Sequence, residues 1–316
     1  MATTTSITTT YAGQSAGEYI SAALLAGNTI ANGGLTVRPN VKFKEVVKRL
    51  ELDGIVKDGT CDFADTSTLT LTERILEPKE LQVNLELCKK DFRSDWEAIQ
   101  MGYSAFDNLP PSFQAYLISY VAGKVAQKNE NNIWSGDDAN AGEFDGFSAL
   151  IAADADLPAG QEIAGIAVTA SNVVEELGKV VDAIPSALYG REDLHIYVAQ
   201  NVFRAYKRAL GGFQANGQGA AGYMAQGNNQ DINIQFVDGV KVFMANGLPD
   251  NKMIATTKDN LWFGTGLLSD HQEVKVLDMA DLDGSQNVRV IMRFTAGVQY
   301  GVIEDIVTYG ITNSAN

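Results

Sequence analysis

The sequence predicts an α+β protein in which a long two-stranded arm leads into a long helix. Strand-like, charged residues run from Val41 to Asp58, a polar turn covers Cys61–Thr68, and a second strand-like arm follows at Leu69–Cys88. An amphipathic helix begins at Pro111, and the chain from Ile232 onwards consists mostly of strands. The strand–helix–strand–helix run between Ile166 and Leu210 is typical of a compact α/β or α+β domain.

The arm predicts a protein that packs on its neighbours. Leu81, Val83, Leu85 and Leu87 alternate with polar residues, which is the pattern of a strand with one apolar face. Pro78 interrupts the arm, so the strand is expected to bend or to lie at a sheet edge. Two paired strands have little room for a core of their own. We therefore expect the arm to complete its packing on other copies of the chain, which favours assembly over catalysis.

One apolar stripe defines the long helix. Pro110–Pro111 suit a first helical turn, and the pattern continues to about Trp134, so the helix is on the order of 35 Å long. The loop Ser135–Asp145 follows it. The residues that share the stripe, at helical spacing, are Phe113, Tyr116, Leu117, Tyr120, Val121 and Val125.

The second half of the chain alternates strands with helices before it becomes strand-rich. A long Gly-, Gln-, Asn- and Ala-rich loop at Gly211–Asn229 separates these two parts, and loops of this length are usually functional or disordered. The elements expected before the loop are a strand at Ile166–Val168, a helix from Ser171 to Ile184, a buried strand at His195–Val198 and a helix at Asn201–Leu210. The strands expected after it are Ile232–Phe236, Val240–Ala245, Met253–Thr257, Leu261–Phe263, Glu273–Leu277, Val288–Thr295 and Gln299–Tyr309.

Composition argues against several classes of function. The chain of 316 residues carries a net charge of −15, from 24 basic and 39 acidic residues, which disfavours sequence-independent binding of nucleic acid. The two cysteines, Cys61 and Cys88, exclude a disulfide framework, and a paired arm would hold them too far apart for a bond. Met1–Thr10 is Thr-rich and is not a secretory signal, and no apolar run is long enough for a membrane span.

Catalytic and ligand-binding motifs are present only in contexts that do not support them. The glycines of Gly217–Gly222 match a dinucleotide fingerprint, but a helix is expected before them where the fingerprint needs a strand. Ser15 lies in a hydrolase-like Gly-x-Ser-x-Gly pattern, yet with Glu18 it fits better as the cap of a short helix, Ser15–Ala26. Two histidines and two distant cysteines cannot form an ordinary structural zinc site. We expect no cofactor, no metal and no enzymatic activity.

The order of these parts resembles that of a tailed-bacteriophage major capsid protein with the Hong Kong 97-like fold. The residues that carry the resemblance are Leu71–Leu76, Lys90–Phe92 with Trp96, the helix from Pro111, and Asp259–Thr265. The resemblance implies an N-terminal arm at 1–40 and an extended loop at 41–91. It further implies a peripheral domain at 92–165 with a spine helix at 111–134, an axial domain at 166–258, and closing strands of the peripheral domain at 259–316.

The resemblance also implies a function and partners. The chain is expected to assemble with itself into hexamers and pentamers that form the icosahedral head of a double-stranded DNA phage, found in the virion and built in the host cytoplasm. A separate scaffolding protein, a portal, decoration proteins and packaged DNA contacted non-specifically are the implied partners. Some members of this family crosslink a Lys to an Asn, and Lys57 is the candidate Lys. The expected inter-subunit contacts are Lys57, Asp58, Phe63, Leu69, Arg74, Gly212, Phe213 and Tyr223.

Two other interpretations stay open at this point. The same type of fold is used by encapsulin-like nanocompartment shells, which enclose a cargo enzyme and no DNA. A soluble enzyme that binds a nucleotide through Gly217–Gly222 is the alternative from a different class.

Overall fold

The computed structural model describes residues 28–41, 43–51, 56, 58–59, 61, 70–88, 111–209, 235–266, 275–280 and 284–313. The predicted helix Ser15–Ala26 and the predicted loop Gly211–Asn229 lie outside these residues.

Helices and strands follow the predicted order along the described chain. The first half contains helix α1 (Asn28–Ala31), strands β1 (Thr36–Arg38), β2 (Glu45–Glu51), β3 (Thr70–Leu76) and β4 (Lys79–Cys88), and helices α2 (Pro111–Ser135) and α3 (Phe147–Ala152). Next come β5 (Glu162–Ile163), α4 (Val173–Asp182), β6 (Leu194–Val198) and α5 (Gln200–Ala209). The last strands are β7 (Gln235–Val237), β8 (Val240–Met244), β9 (Met253–Thr257), β10 (Leu261–Thr265), β11 (Lys275–Asp278), β12 (Asn287–Tyr300) and β13 (Val307–Tyr309).

The chain divides into two compact units. The first contains the described residues of Glu80–Lys128 and Leu267–Thr295, and the second contains those of Gly27–Lys79, Asn129–Gly266 and Ala296–Asn316. Three described elements, strand β4, the long helix α2 and the long strand β12, contribute residues to both units.

The first unit packs the long helix on a small sheet. Strand β12 pairs antiparallel with β11 and also pairs with β4. Val121 of the helix and Val290 of β12 form the buried centre, and Val125 packs against them. These contacts confirm the predicted apolar stripe at Val121 and Val125. The side chains from strands β4 and β11 that join the cluster are Val83, Leu87 and Val276.

The second unit is built on a six-stranded sheet with the order β5-β13-β9-β6-β8-β7. Strand β6 pairs parallel with β8 and antiparallel with β9, and every residue of β6 and β9 is buried. Helix α4 buries Val173, Leu177 and Val180, which repeat at helical spacing. From the same helix, Glu176 accepts a hydrogen bond of 2.8 Å from the Tyr309 hydroxyl of β13.

A separate strand pairing lies in the same unit. Strand β10 pairs parallel with β1 and antiparallel with the end of β12. The predicted break between Val288–Thr295 and Gln299–Tyr309 is wrong, because β12 runs without interruption through Gly297. A Cβ at residue 297 would lie 2.9 Å from the Cα of Pro78, so glycine here allows a close approach of two backbones.

The predicted strand at Ile166–Val168 is also wrong. The backbone N–H of Ile166 donates to the Tyr309 hydroxyl at 3.1 Å, and that of Val168 donates to the Asn251 side chain at 2.8 Å. Side-chain oxygens therefore accept the hydrogen bonds of these two N–H groups, which in a sheet would go to the carbonyl groups of a neighbouring strand. The only strand in this stretch of the described chain is the two-residue β5, just before it.

Candidate assembly surface

Only part of the predicted arm is a two-stranded antiparallel hairpin, because β4, the later part of the predicted second strand Leu69–Cys88, pairs with β12 instead. Strands β2 and β3 pair from Glu45 opposite Leu76 to Glu51 opposite Thr70. Side chains on a strand alternate between two faces, so the pairing sorts the hairpin into two sets of residues. We name the set with Val47, Arg49, Arg74 and Leu76 the inner face, and the set with Val46, Lys48, Leu71, Glu73 and Ile75 the outer face.

The inner face is held to the body of the second unit by a buried leucine. Leu76 is fully buried and forms a core cluster with Val41 and Trp262, against which Val47 packs. Gly264 of β10 lies directly beneath it, since a Cβ at this residue would be 2.9 Å from Cδ2 of Leu76. The leucine therefore fills the space that the glycine leaves.

An arginine on the inner face adds an ionic contact. The guanidinium of Arg74 lies 2.5 Å from Oδ2 of Asp154 and 4.9 Å from the centre of the Tyr300 ring. The Tyr300 hydroxyl donates to the same carboxylate at 2.6 Å. Burial acts to raise the pKa of Asp154, but the hydrogen bonds from Tyr300, the Asp156 backbone and Arg74 outweigh it and hold the pKa below its usual value.

Further polar contacts fix the hairpin along its length. Arg49 forms an ion pair of 2.7 Å with Glu304. The side chain of Gln299 donates to the backbone carbonyl of Ile75 at 2.9 Å. The inner face is thus bound through a buried leucine, two arginines and a backbone hydrogen bond, which fixes the direction in which the hairpin leaves the body.

The outer face carries large apolar side chains that nothing described in this chain covers. Val46, Leu71 and Ile75 are 46%, 63% and 42% exposed. Val46 lies opposite Ile75, and Lys48 lies opposite Glu73 between the apolar positions. An apolar sheet face of this kind marks a surface that binds a partner, because exposed strands with apolar side chains invite association.

The structure places only some of the residues predicted to contact other subunits. Arg74 belongs to the inner face and binds Asp154 of its own chain, while Asp58 is exposed. The contact role of both stays a prediction. The remaining predicted residues, Lys57, Phe63, Leu69, Gly212, Phe213 and Tyr223, lie outside the described residues.

Sequence reasoning did not name Val46, Leu71 or Ile75 among the contacts between subunits. Val46 and Ile75 each lie beside a second apolar residue, in the pairs Val46–Val47 and Ile75–Leu76. Adjacent residues of a strand point to opposite faces, so an apolar pair places one member on each side of the hairpin. Such pairs on both strands were the available signal for a hairpin with apolar side chains on both faces.

Other chemistry has little support in the described part of the chain. Its His, Cys, Asp and Glu side chains do not gather into any group of three or more that could hold a metal. None of its helices has the length and apolar character needed to cross a membrane. The residues of the Gly217–Gly222 motif lie outside the described chain, and the element before them is helix α5, as the sequence predicted.

Comparisons with known proteins find relatives through structure alone. No protein-family model matches the chain, and no curated protein matches it. The capsid of a native GTA particle superposes with a TM-score of 0.63 at 16% identity, with 93% of each chain covered. The capsid of Myoviridae phage XM1 gives a TM-score of 0.56 at 11% identity, covering 92% of this chain and 94% of that one. A chain of Mycobacterium phage Adephagia gives 0.57 at 14% identity, covering 92% and 91%.

The fold is therefore that of the shell proteins of phage capsids. The likeness extends over nearly the whole chain and confirms the predicted Hong Kong 97-like architecture. The hairpin of β2 and β3 lies within residues 41–91, and α2 covers residues 111–134. The assignment of these parts as an extended loop and a spine helix stays a prediction.

Proposed function

We propose that this chain is the major capsid protein of a tailed double-stranded DNA phage, and that it builds an icosahedral head from hexamers and pentamers. The observation that carries the proposal is the hairpin whose inner face is fixed to its own body while its outer face presents Val46, Leu71 and Ile75 to solvent. The fold shared with capsid chains supports the same conclusion.

The outer face provides a modest binding energy for each contact. Complete burial of a Val, Leu or Ile side chain contributes about 1.5–3 kcal/mol, and these three are about half buried already, so each adds roughly 1 kcal/mol. A total of about 3 kcal/mol is weak for a single pair of molecules. A closed shell repeats the contact at every copy, and multivalent binding then makes the assembly stable.

Rigid attachment of the inner face strengthens the weak contact that the outer face makes. Leu76 and Arg74 hold the hairpin in one direction before any partner binds. A surface that is ordered in advance loses less conformational entropy when it binds. The fixed hairpin therefore favours one geometry between neighbouring copies, as a regular shell requires.

A charge on the outer face tests this role. Leu71→Glu places a carboxylate among the exposed apolar residues, and we expect the protein to stay folded but to form no particles in negative-stain electron microscopy. Thr72→Glu is the matched control. Thr72 is also exposed and follows Leu71 in the same strand, but its side chain lies on the inner face of the hairpin. Normal particles from Leu71→Glu, or an equal loss of particles in both variants, would contradict the proposal.

The remaining partners follow from the same proposal. A separate scaffolding protein, a portal and packaged DNA contacted without sequence specificity fit a phage head, and the mature location is then the virion. Purified particles from infected cells should absorb as nucleoprotein, with a high ratio of absorbance at 260 nm to that at 280 nm. Particles that absorb as pure protein and enclose an enzyme would instead support the nanocompartment alternative.

A further inference from the structure

The segment Asn28–Gly34, which we call the N-terminal anchor, is bound on several sides by the second unit. The Asn28 side chain donates to the carbonyl of Met244 at the end of β8 and accepts from the backbone of Asn246 at 3.3 Å. At the other end, the hydroxyl of Tyr197 on β6 donates to the carbonyl of Gly34. Residues 1–27 precede this anchor in the sequence and lie outside the described chain.

The centre of the anchor covers a buried carboxylate on the long helix. Glu130 of α2 is 1% exposed. Its oxygens accept from the backbone N–H of Thr29 at 3.1 Å and from the Thr29 hydroxyl. The indole N–H of Trp134, one turn further along α2, donates to the same hydroxyl at 2.8 Å.

The described surroundings of Glu130 supply hydrogen-bond donors but no opposite charge. Among the described residues, no lysine, arginine or histidine forms an ion pair with it, and neither the anchor nor the turn after β8 places a titratable side chain against it. Burial raises the pKa of Glu130, and hydrogen bonds from Thr29, Gly247 and Trp134 oppose this rise. A buried carboxylate without a cation is costly in its ionised form.

Other titratable groups lie in the next layer of the site. Tyr197 touches Trp134, with 5.1 Å between the ring centres, and burial raises the pKa of its hydroxyl so far that it stays neutral. His195 lies beside Tyr197, and burial lowers the pKa of its imidazole, helped by the nearby charges of Lys241 and Lys258.

We propose that Glu130 is a proton-operated latch for the N-terminal anchor: uptake of a proton by its carboxyl tightens the hold of residues 28–34 on the long helix, and loss of that proton loosens it. The inference is independent of the proposed capsid function.

The direction of the pH effect on the anchor follows from the linkage between proton binding and closing. Lifting of the anchor exposes Glu130 to water and returns its pKa towards the ordinary value of a glutamate, so the closed anchor binds the proton more tightly than the open one. The closed anchor is therefore most stable when the pH is below the ordinary pKa of a glutamate. Its stability falls as the pH rises from that ordinary pKa to the raised pKa of Glu130, and it does not change further at higher pH. One proton changes the opening equilibrium by at most about tenfold per pH unit.

Hydrogen exchange on the full-length protein tests the latch. We would measure protection of the amides of residues 28–34 between about pH 4.5 and pH 7.5, after correction for the intrinsic pH dependence of exchange. The buried strand Met253–Thr257 in the same unit serves as the internal reference. In the wild type, protection of the anchor relative to this strand should fall as the pH rises, by up to about tenfold per unit within the window.

Two replacements without a titrating group separate Glu130 from the other ionisable side chains. Glu130→Gln and Glu130→Met should both give a flat profile, whereas Thr29→Val, which removes the hydroxyl donor, should lower protection at every pH and keep the slope. A wild-type profile without a slope would overturn the proposal even if neither Glu130 variant folds. A slope that persists unchanged in a folded Glu130 variant would assign the effect to another group, such as His195, and would overturn it as well.

Discussion

Removal of the leucine that attaches the hairpin should cost several kcal/mol of folding stability. Leu76 is fully buried against Val41 and Trp262, and Gly264 beneath it has no side chain that can move into the space. Leu→Ala substitutions in cores cost about 2–5 kcal/mol, with the larger losses where the cavity cannot collapse. We expect about 3–4 kcal/mol for Leu76→Ala, because the site is lined by a rigid indole and by strand backbone.

Urea unfolding of unassembled protein, followed by tryptophan fluorescence, measures this loss directly, since Trp262 contacts the substituted residue. Leu71→Ala, on the other face of the same strand, is the matched control and should change stability by less than about 0.5 kcal/mol. A loss below about 1 kcal/mol for Leu76→Ala would refute the view that this side chain attaches the hairpin to the body.

A double-mutant cycle sharpens the test. Gly264→Ala alone should destabilise the protein, because the new methyl would meet Cδ2 of Leu76 at 2.9 Å. In the Leu76→Ala background the same methyl enters the cavity, so the double variant should be more stable than the sum of the single losses predicts, by about 1–2 kcal/mol. Simple additivity of the two losses would argue that the two residues do not share this space.

Three further predictions concern polar contacts and one close approach of backbones. Arg74→Met should lower stability by about 1–2 kcal/mol, since it removes a half-buried ion pair with Asp154. Because the pKa of Asp154 is lowered, the stability difference between wild type and Arg74→Met should be complete above the ordinary pKa of an aspartate. It should disappear as the pH falls from that ordinary pKa through the lowered pKa, which urea midpoints measured over a pH series would show. Gly247→Ala should cost more than about 3 kcal/mol or prevent folding, judged by circular dichroism and thermal melting, because a Cβ there overlaps the backbone of the long helix. Tyr309→Phe removes one of the two side-chain donors to the buried carboxylate of Glu176, the other being Lys179, and should cost about 1–2 kcal/mol in the same urea assay.

Local pattern was sufficient to predict most elements of the fold. The bounds of Met253–Thr257 are those predicted, and α2 begins at the predicted Pro111 because a proline pair followed by an apolar stripe is a strong local signal. The failures at Gly297 and at Ile166–Val168 depend on residues distant in sequence. Pro78 and Gly297 lie close together only in the folded chain, and sequence pattern alone does not reveal such a contact.

The candidate site was predictable only in outline. The arm was predicted as an assembly element, but the alternating residues Leu81, Val83, Leu85 and Leu87 lie on β4 and not on the hairpin of β2 and β3. Arg74 was named as a contact between subunits, whereas in the structure it binds Asp154 of its own chain. Its partner Asp154 lies 80 residues further along the chain, so a pattern of neighbouring residues could not identify it. Which face of the hairpin binds its own body also depends on the position of Leu76 over Gly264, which is a tertiary contact.

Backbone crowding at the end of the long helix limits how this protein can be altered. A Cβ at Gly136, Gly146 or Gly247 would overlap a carbonyl oxygen of Phe144, Asn132 or Glu130 respectively. These three positions should therefore stay glycine in chains that share this fold at 15% identity, although none of them belongs to the proposed contact surface. Libraries that insert foreign peptides into this chain should leave the three glycines unchanged and diversify the solvent-facing turn at 138–141 instead.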